Sequence, residues 1–83
     1  MEQSGITVYG ADWCGDCRRA KKFMDDKGVA YNWVNIENDP SAIELVLKLN
    51  GGKRVIPTIV FEDGSVLVEP TNSELAGKLG VGK

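Results

Sequence analysis

The chain has no histidine, only two cysteines and only three prolines among its 83 residues. Two thiols and no imidazole cannot supply the four ligands of a structural zinc site, and no second Cys-x-x-Cys is present. So few cysteines also exclude a disulfide-stapled secreted scaffold. No apolar run nears the ~18 residues that a transmembrane helix needs. There is no basic run either, and the formal net charge of −2 speaks against nucleic acid as a partner. Met1-Glu2-Gln3-Ser4-Gly5 lacks a basic region followed by an apolar stretch, so the expectation is a soluble cytoplasmic protein. Repeats, linkers and low-complexity segments are missing, and residues 1–83 read as one small domain.

What is present is concentrated. Both cysteines fall in Cys14-Gly15-Asp16-Cys17, between a short β-type segment and a helical pattern. In a reducing compartment a structural disulfide is unexpected, and one closing so short a loop would restrict the unfolded chain little. Reversible redox chemistry is the favoured reading, over a metal site shared with another chain or a pair of inert thiols. Cys14 sits where the partial charge of roughly +0.5 at a helix N-terminus favours a thiolate, the attacking species in disulfide exchange. Cys17 falls inside the first turn, faces the core, and reads as the thiol that resolves a mixed disulfide on Cys14. Arg18 and Arg19 favour the thiolate, whereas Asp12 and Asp16 oppose it. A carboxylate at Asp16 should raise a neighbouring thiol's pKa, each unit being about 1.4 kcal/mol, although Asp16 also suits a helix start in its own right.

The remaining elements follow from pattern. Ile6-Thr7-Val8-Tyr9 reads as a strand ended by Gly10. A helix should run from about Gly15 to Lys27, burying Cys17, Ala20, Phe23 and Met24, with Gly28 as its left-handed cap. The stretch from Val29 to Ile36 reads as a second strand, completing a right-handed βαβ unit. Asp39-Pro40 opens a second helix whose inner face is Ile43, Val46, Leu47 and Asn50, stopped by Gly51-Gly52. Val55 to Phe61 is a third strand; Pro57, which has no N–H, should be its first residue. Asp63-Gly64 marks a hairpin to Val66-Leu67-Val68. Thr71-Asn72-Ser73-Glu74 has the form of a capping box for a last helix carrying Leu75, Ala76 and Leu79. The predicted fold is therefore α/β: βαβ-α-ββα, a four-stranded mixed sheet flanked by three helices.

The element order, Trp13-Cys14-Gly15-Asp16-Cys17 and Val55-Ile56-Pro57 together resemble the glutaredoxin branch of the thioredoxin superfamily. Asn50-Gly51-Gly52-Lys53-Arg54, Asp63-Gly64-Ser65 and Glu69-Pro70-Thr71 make the chain similar to the mycoredoxins within it. The resemblance implies a thioredoxin-like fold and a thiol-disulfide oxidoreductase with Cys14 and Cys17 as catalytic residues. It also implies a cis Ile56–Pro57 bond facing the cysteines, where the residues alone leave a trans proline open. Val55, Ile56 and Pro57 would then present backbone to a substrate. Trp13 reads as a wall of the substrate site or as a lid over the helix start, and Trp33 as packing on a sheet face. Lys53 and Arg54 either steer anionic substrates or are merely solvated. Thr71, Asn72 and Ser73 bind a polar ligand edge or only cap the last helix.

Neither a tightly bound cofactor nor a metal is expected. The implied co-substrate is a low-molecular-weight thiol, mycothiol or glutathione. An acid at Asp12 and Glu69-Pro70-Thr71 in place of the usual Gly-Gly favour mycothiol, which lacks glutathione's two free carboxylates, or else a protein substrate. Implied partners are mixed disulfides of a small thiol or of proteins, and an upstream NADPH-dependent disulfide reductase; the protein is expected to be a monomer. One alternative is an electron donor to ribonucleotide reductase recharged by thioredoxin reductase, against which the tail Leu75 to Lys83 counts, since it lacks the aromatic-Ser-Gly-Phe-Arg-Pro stretch of that group. The other is a dimer sharing an iron-sulfur cluster through Cys14.

Overall fold

The structure, a computed structural model, describes residues 5–80. Residues 1–4, on which the absence of a leader was read, and tail residues 81–83 lie outside the described residues. Four strands form one sheet in the order β2-β1-β3-β4. Strand β1 (Thr7–Gly10) runs parallel to β2 (Asn32–Asn35), with Val8 opposite Trp33. It runs antiparallel to β3 (Thr58–Val60), with Val8 opposite Ile59. Strand β4 (Val66–Val68) closes the far edge antiparallel to β3. The expected mixed sheet and element order are those observed.

Alternation along the strands sends consecutive side chains to opposite faces, and the helices divide accordingly. On the face of Val8 and Ile59, helix α1 (Gly15–Asp26) contributes Ala20, Phe23 and Met24, and helix α3 (Asn72–Leu79) contributes Leu75 and Ala76. On the face of Tyr9 and Val34, helix α2 (Pro40–Leu49) packs Ala42 and Val46 against Ile36. Burial at this level, about 25 cal/mol per Å² of apolar surface, is what holds so short a chain together.

Helix ends follow the local chemistry. Cys17, Ala20, Phe23 and Met24 are the buried residues of α1, and Gly28 adopts φ 70° just beyond its end. The Asp39 carboxylate accepts from Ala42 N–H at 3.2 Å, with Pro40 opening α2. Thr71 caps α3 through a full capping box, its hydroxyl accepting from Glu74 N–H while the Glu74 carboxylate accepts from Thr71 N–H.

Gly10 ends β1 as its last paired residue, opposite Asn35. Other strand limits differ from the pattern-based expectation. Val29 to Tyr31 are not part of β2; Val29 N–H instead closes the end of α1 on Met24 C=O at 2.8 Å. Ile36 leaves the strand for a short 3-10 turn (Ile36–Asn38), drawn there by the Asn35 side chain, which accepts from Glu37 N–H at 3.0 Å. Pro57 stands one residue before β3, and its carbonyl accepts from Glu69 N–H at 2.9 Å. In α2, Ala42 rather than Leu47 joins Val46 in the core.

Candidate active site

The loop Ala11–Trp13 delivers Cys14 to the N-cap of α1. Its backbone is extended (φ −79°, ψ 116°), its N–H bonds Ala11 C=O at 3.1 Å, and its sulfur accepts from Cys17 N–H at 3.3 Å. One otherwise unpaired N–H of the helix's first turn, that of Cys17, thus points at the Cys14 sulfur, at the end of the helix where the dipole favours negative charge. Both thiols are free. Cys14 keeps 8% of its surface, whereas Cys17 is fully enclosed.

Enclosure governs the second thiol. Burial pushes Cys17 up to about 12 from an ordinary 9.0, and its hydrogen bond to the Cys14 sulfur acts in the same direction. Ala11 N–H pulls the other way, while the charges of Cys14 and Asp16 add to the rise. The Asp16 carboxylate raises Cys17, although its effect is the smallest of these. It also lies 3.7 Å from the Arg19 guanidinium.

Cys14 opens onto a groove of about 600 Å³ lined by Trp13, Gly15, Asp16, Arg54, Val55, Ile56 and Glu69. The structure therefore brings Trp13, Val55 and Ile56 to the thiol. The Ile56–Pro57 bond is cis, and Pro57 itself is buried behind the groove wall. Trp13 stands 64% exposed, with its indole N–H donating to Glu37 Oε2 at 2.6 Å. Behind it, Ala11, Ile36, Glu37, Arg54 and Ile56 share a second depression of about 250 Å³ with Trp13.

Thr71, Asn72 and Ser73 are not brought into this groove. Thr71 is engaged in the capping box, and Asn72 Oδ1 accepts from Arg19 at 2.7 Å. Asn72 and Ser73 line a separate depression with Phe23, Asp26 and Lys27. Arg19, read from sequence as a source of field at Cys14, also donates to Pro70 C=O at 2.9 Å and so ties α1 to the segment that opens α3. Asp12 accepts from Asn35 at 3.3 Å. Sequence reasoning missed Glu37, whose link to Trp13 spans 24 residues, and the place of Glu69 in the groove wall at φ 48°. Trp33 packs on the main core but also against the Ala11–Cys14–Cys17 cluster, beneath the Lys21 ammonium at 3.7 Å.

A nearly buried thiol that caps a helix at the edge of a groove, with a second thiol sealed one turn behind it and a cis-proline loop across the groove, defines a thiol-disulfide oxidoreductase on a thioredoxin-like fold. Comparison with known proteins agrees. The glutaredoxin family model matches residues 6–66. A Mycobacterium tuberculosis relative that carries the glutaredoxin name is 40% identical over 79 residues, spanning 95% of this chain and 94% of its own. Mycoredoxin 1 of Corynebacterium glutamicum is 34% identical over 76 residues, spanning 92% and 94%. Among solved structures, a thioredoxin-like protein superposes with TM-score 0.79 at 26% identity, covering 94% of this chain and 97% of that one. The chain belongs to the glutaredoxin family.

Proposed function

We propose that this protein reduces mixed disulfides between proteins and a low-molecular-weight thiol, with mycothiol as that thiol, in a reducing cytoplasm and as a monomer. Cys14 attacks the mixed disulfide, forms a new S–S bond to one sulfur and expels the other as a thiolate. Either Cys17 or a second small thiol then attacks Cys14. Trp13, Val55, Ile56 and Pro57 form the surface along which the substrate lies. The observation that carries this reading is the asymmetry of the pair: one sulfur at a helix N-terminus open to a groove, the other enclosed.

The groove's charge supports the choice of thiol. Asp16 and Glu69 face it against the single cation Arg54, a poor host for glutathione's two carboxylates. The relative named Mycoredoxin 1 points the same way. A second reading has a relative of its own: a Lactococcus lactis glutaredoxin-like protein NrdH is 33% identical over 58 residues. That reading makes the chain a protein-disulfide donor to ribonucleotide reductase, recharged by thioredoxin reductase.

NADPH oxidation with a protein mixed disulfide as substrate separates these readings, run with mycothiol and its reductase, glutathione and its reductase, or thioredoxin reductase. Turnover with mycothiol that is lost in Cys14→Ser supports the proposal. Turnover only with thioredoxin reductase assigns the chain to the donor class, and turnover only with glutathione refutes the choice of thiol.

A further inference from the structure

Gly10 is buried in the last position of β1, and its backbone is not in the left-handed region that would itself require glycine. Its requirement is spatial. A Cβ built here would land well inside contact distance of Cys17 Sγ, with the far edge of the Trp33 indole only 3.0 and 3.1 Å away. Of the two neighbours, the sulfur is the more confined, whereas the indole is half-buried. Cys17 lies inside the first turn of α1 with no exposed surface, and the ammonium of Lys21 lies 3.7 Å from the Trp33 ring. The seat of the second sulfur is therefore shaped from below by a missing side chain and from the side by an indole.

We propose that Gly10 is a positioning residue for Cys17: the bare backbone at this point of β1 sets where the second sulfur rests, and so its line of attack on Cys14. In that step the Cys17 thiol loses its proton to the departing thiolate. Its sulfur bonds Cys14 Sγ, and the bond from Cys14 to the substrate sulfur breaks. The two cysteines end oxidised as one disulfide, and the substrate sulfur leaves as a reduced thiol. Displacement by a fraction of an ångström matters, because a misplacement of about 1 Å can cost roughly a hundredfold in rate. The inference rests on the reading that Cys17 resolves a mixed disulfide on Cys14.

The test compares Gly10→Ala, Cys17→Ala and the double variant with the wild type. Reduced protein is mixed with 2-hydroxyethyl disulfide, quenched with acid at intervals, and weighed by mass spectrometry. Attack by Cys14 appears as the mercaptoethanol adduct, and resolution as its conversion to the internal disulfide. In Gly10→Ala the second step should slow by about tenfold or more relative to the first, so that the adduct accumulates. Thermal unfolding gives an independent reading, because removing the Cys17 sulfur removes the obstruction. Gly10→Ala should destabilise the wild type more than it destabilises Cys17→Ala. An unchanged ratio of the two steps, or equal destabilisation in both backgrounds, overturns the proposal. Should Gly10→Ala fail to fold, folding of the double variant supports the proposal and failure of both overturns it. A wild type that never converts its adduct, while the stabilities still couple, removes the resolving role and leaves only the packing.

Discussion

Keeping the Cys17 thiol neutral makes stability depend on alkaline pH in a way that can be isolated. The folded chain holds this proton up to about 12, while the unfolded chain releases it near 9.0. Between those values the unfolded state binds fewer protons, so its free energy falls with rising pH and stability declines. The contribution is fully present below pH 9 and is lost as pH climbs toward 12. At pH 10.5 the unfolded thiol is 1.5 units past its own pKa, a loss of about 2 kcal/mol relative to pH 8. Cys17→Ala removes this group while leaving every lysine and tyrosine that titrates over the same range. Guanidinium unfolding of both proteins from pH 7.5 to 10.5, under a phosphine reductant, yields the difference directly. Wild-type stability should fall relative to the variant by about 2 kcal/mol, most of it above pH 9. A difference that stays flat with pH would refute the account, since a thiol that ionises equally in both states has no linkage to folding.

Two further perturbations test single contacts. Glu37→Ala removes the acceptor of the Trp13 indole N–H. The Trp13 indole proton resonance should move upfield and KM for a protein mixed disulfide should rise by about threefold, the worth of an exposed hydrogen bond. Thr71→Ala breaks one arm of the α3 capping box and should lower stability by about 1 kcal/mol in chemical denaturation.

The parts of this molecule legible in its sequence are those governed by neighbours within a turn or two. The four buried residues of α1, the Asp39-Pro40 start of α2 and the Thr71–Glu74 capping box each depend on spacing that the chain itself displays. The cysteine pair was legible for the same reason, falling within four consecutive residues at a strand-to-helix junction. What escaped notice depends on closure of the fold. Glu37 meets Trp13 only after β2 has paired with β1, and Arg19 meets Pro70 and Asn72 across 51 and 53 residues. The burden on Gly10 was hidden because a glycine after β-branched residues reads only as a strand terminator, whereas the closeness of Cys17 and Trp33 to it appears once α1 and β2 are in place. Val29 to Tyr31 show the opposite error. The apolar character of Val29 and Tyr31 reflects packing against the core beside α1, not membership of the sheet.

The strand order has a consequence for how the molecule breathes. Cys14 follows the end of β1, and Pro57 precedes the start of β3. Because β1 and β3 run antiparallel, these two points meet at the same end of the two innermost strands. Edges open before centres, so the strands that hold the site should be among the last amides to exchange with solvent. The edge strand β4, three residues long, and the Asp63–Gly64 turn feeding it can open from the turn end, away from the Glu69 bond that holds Pro57. The candidate site is thus expected to sit in the slowest-exchanging part of the chain, with fluctuation left to the margins.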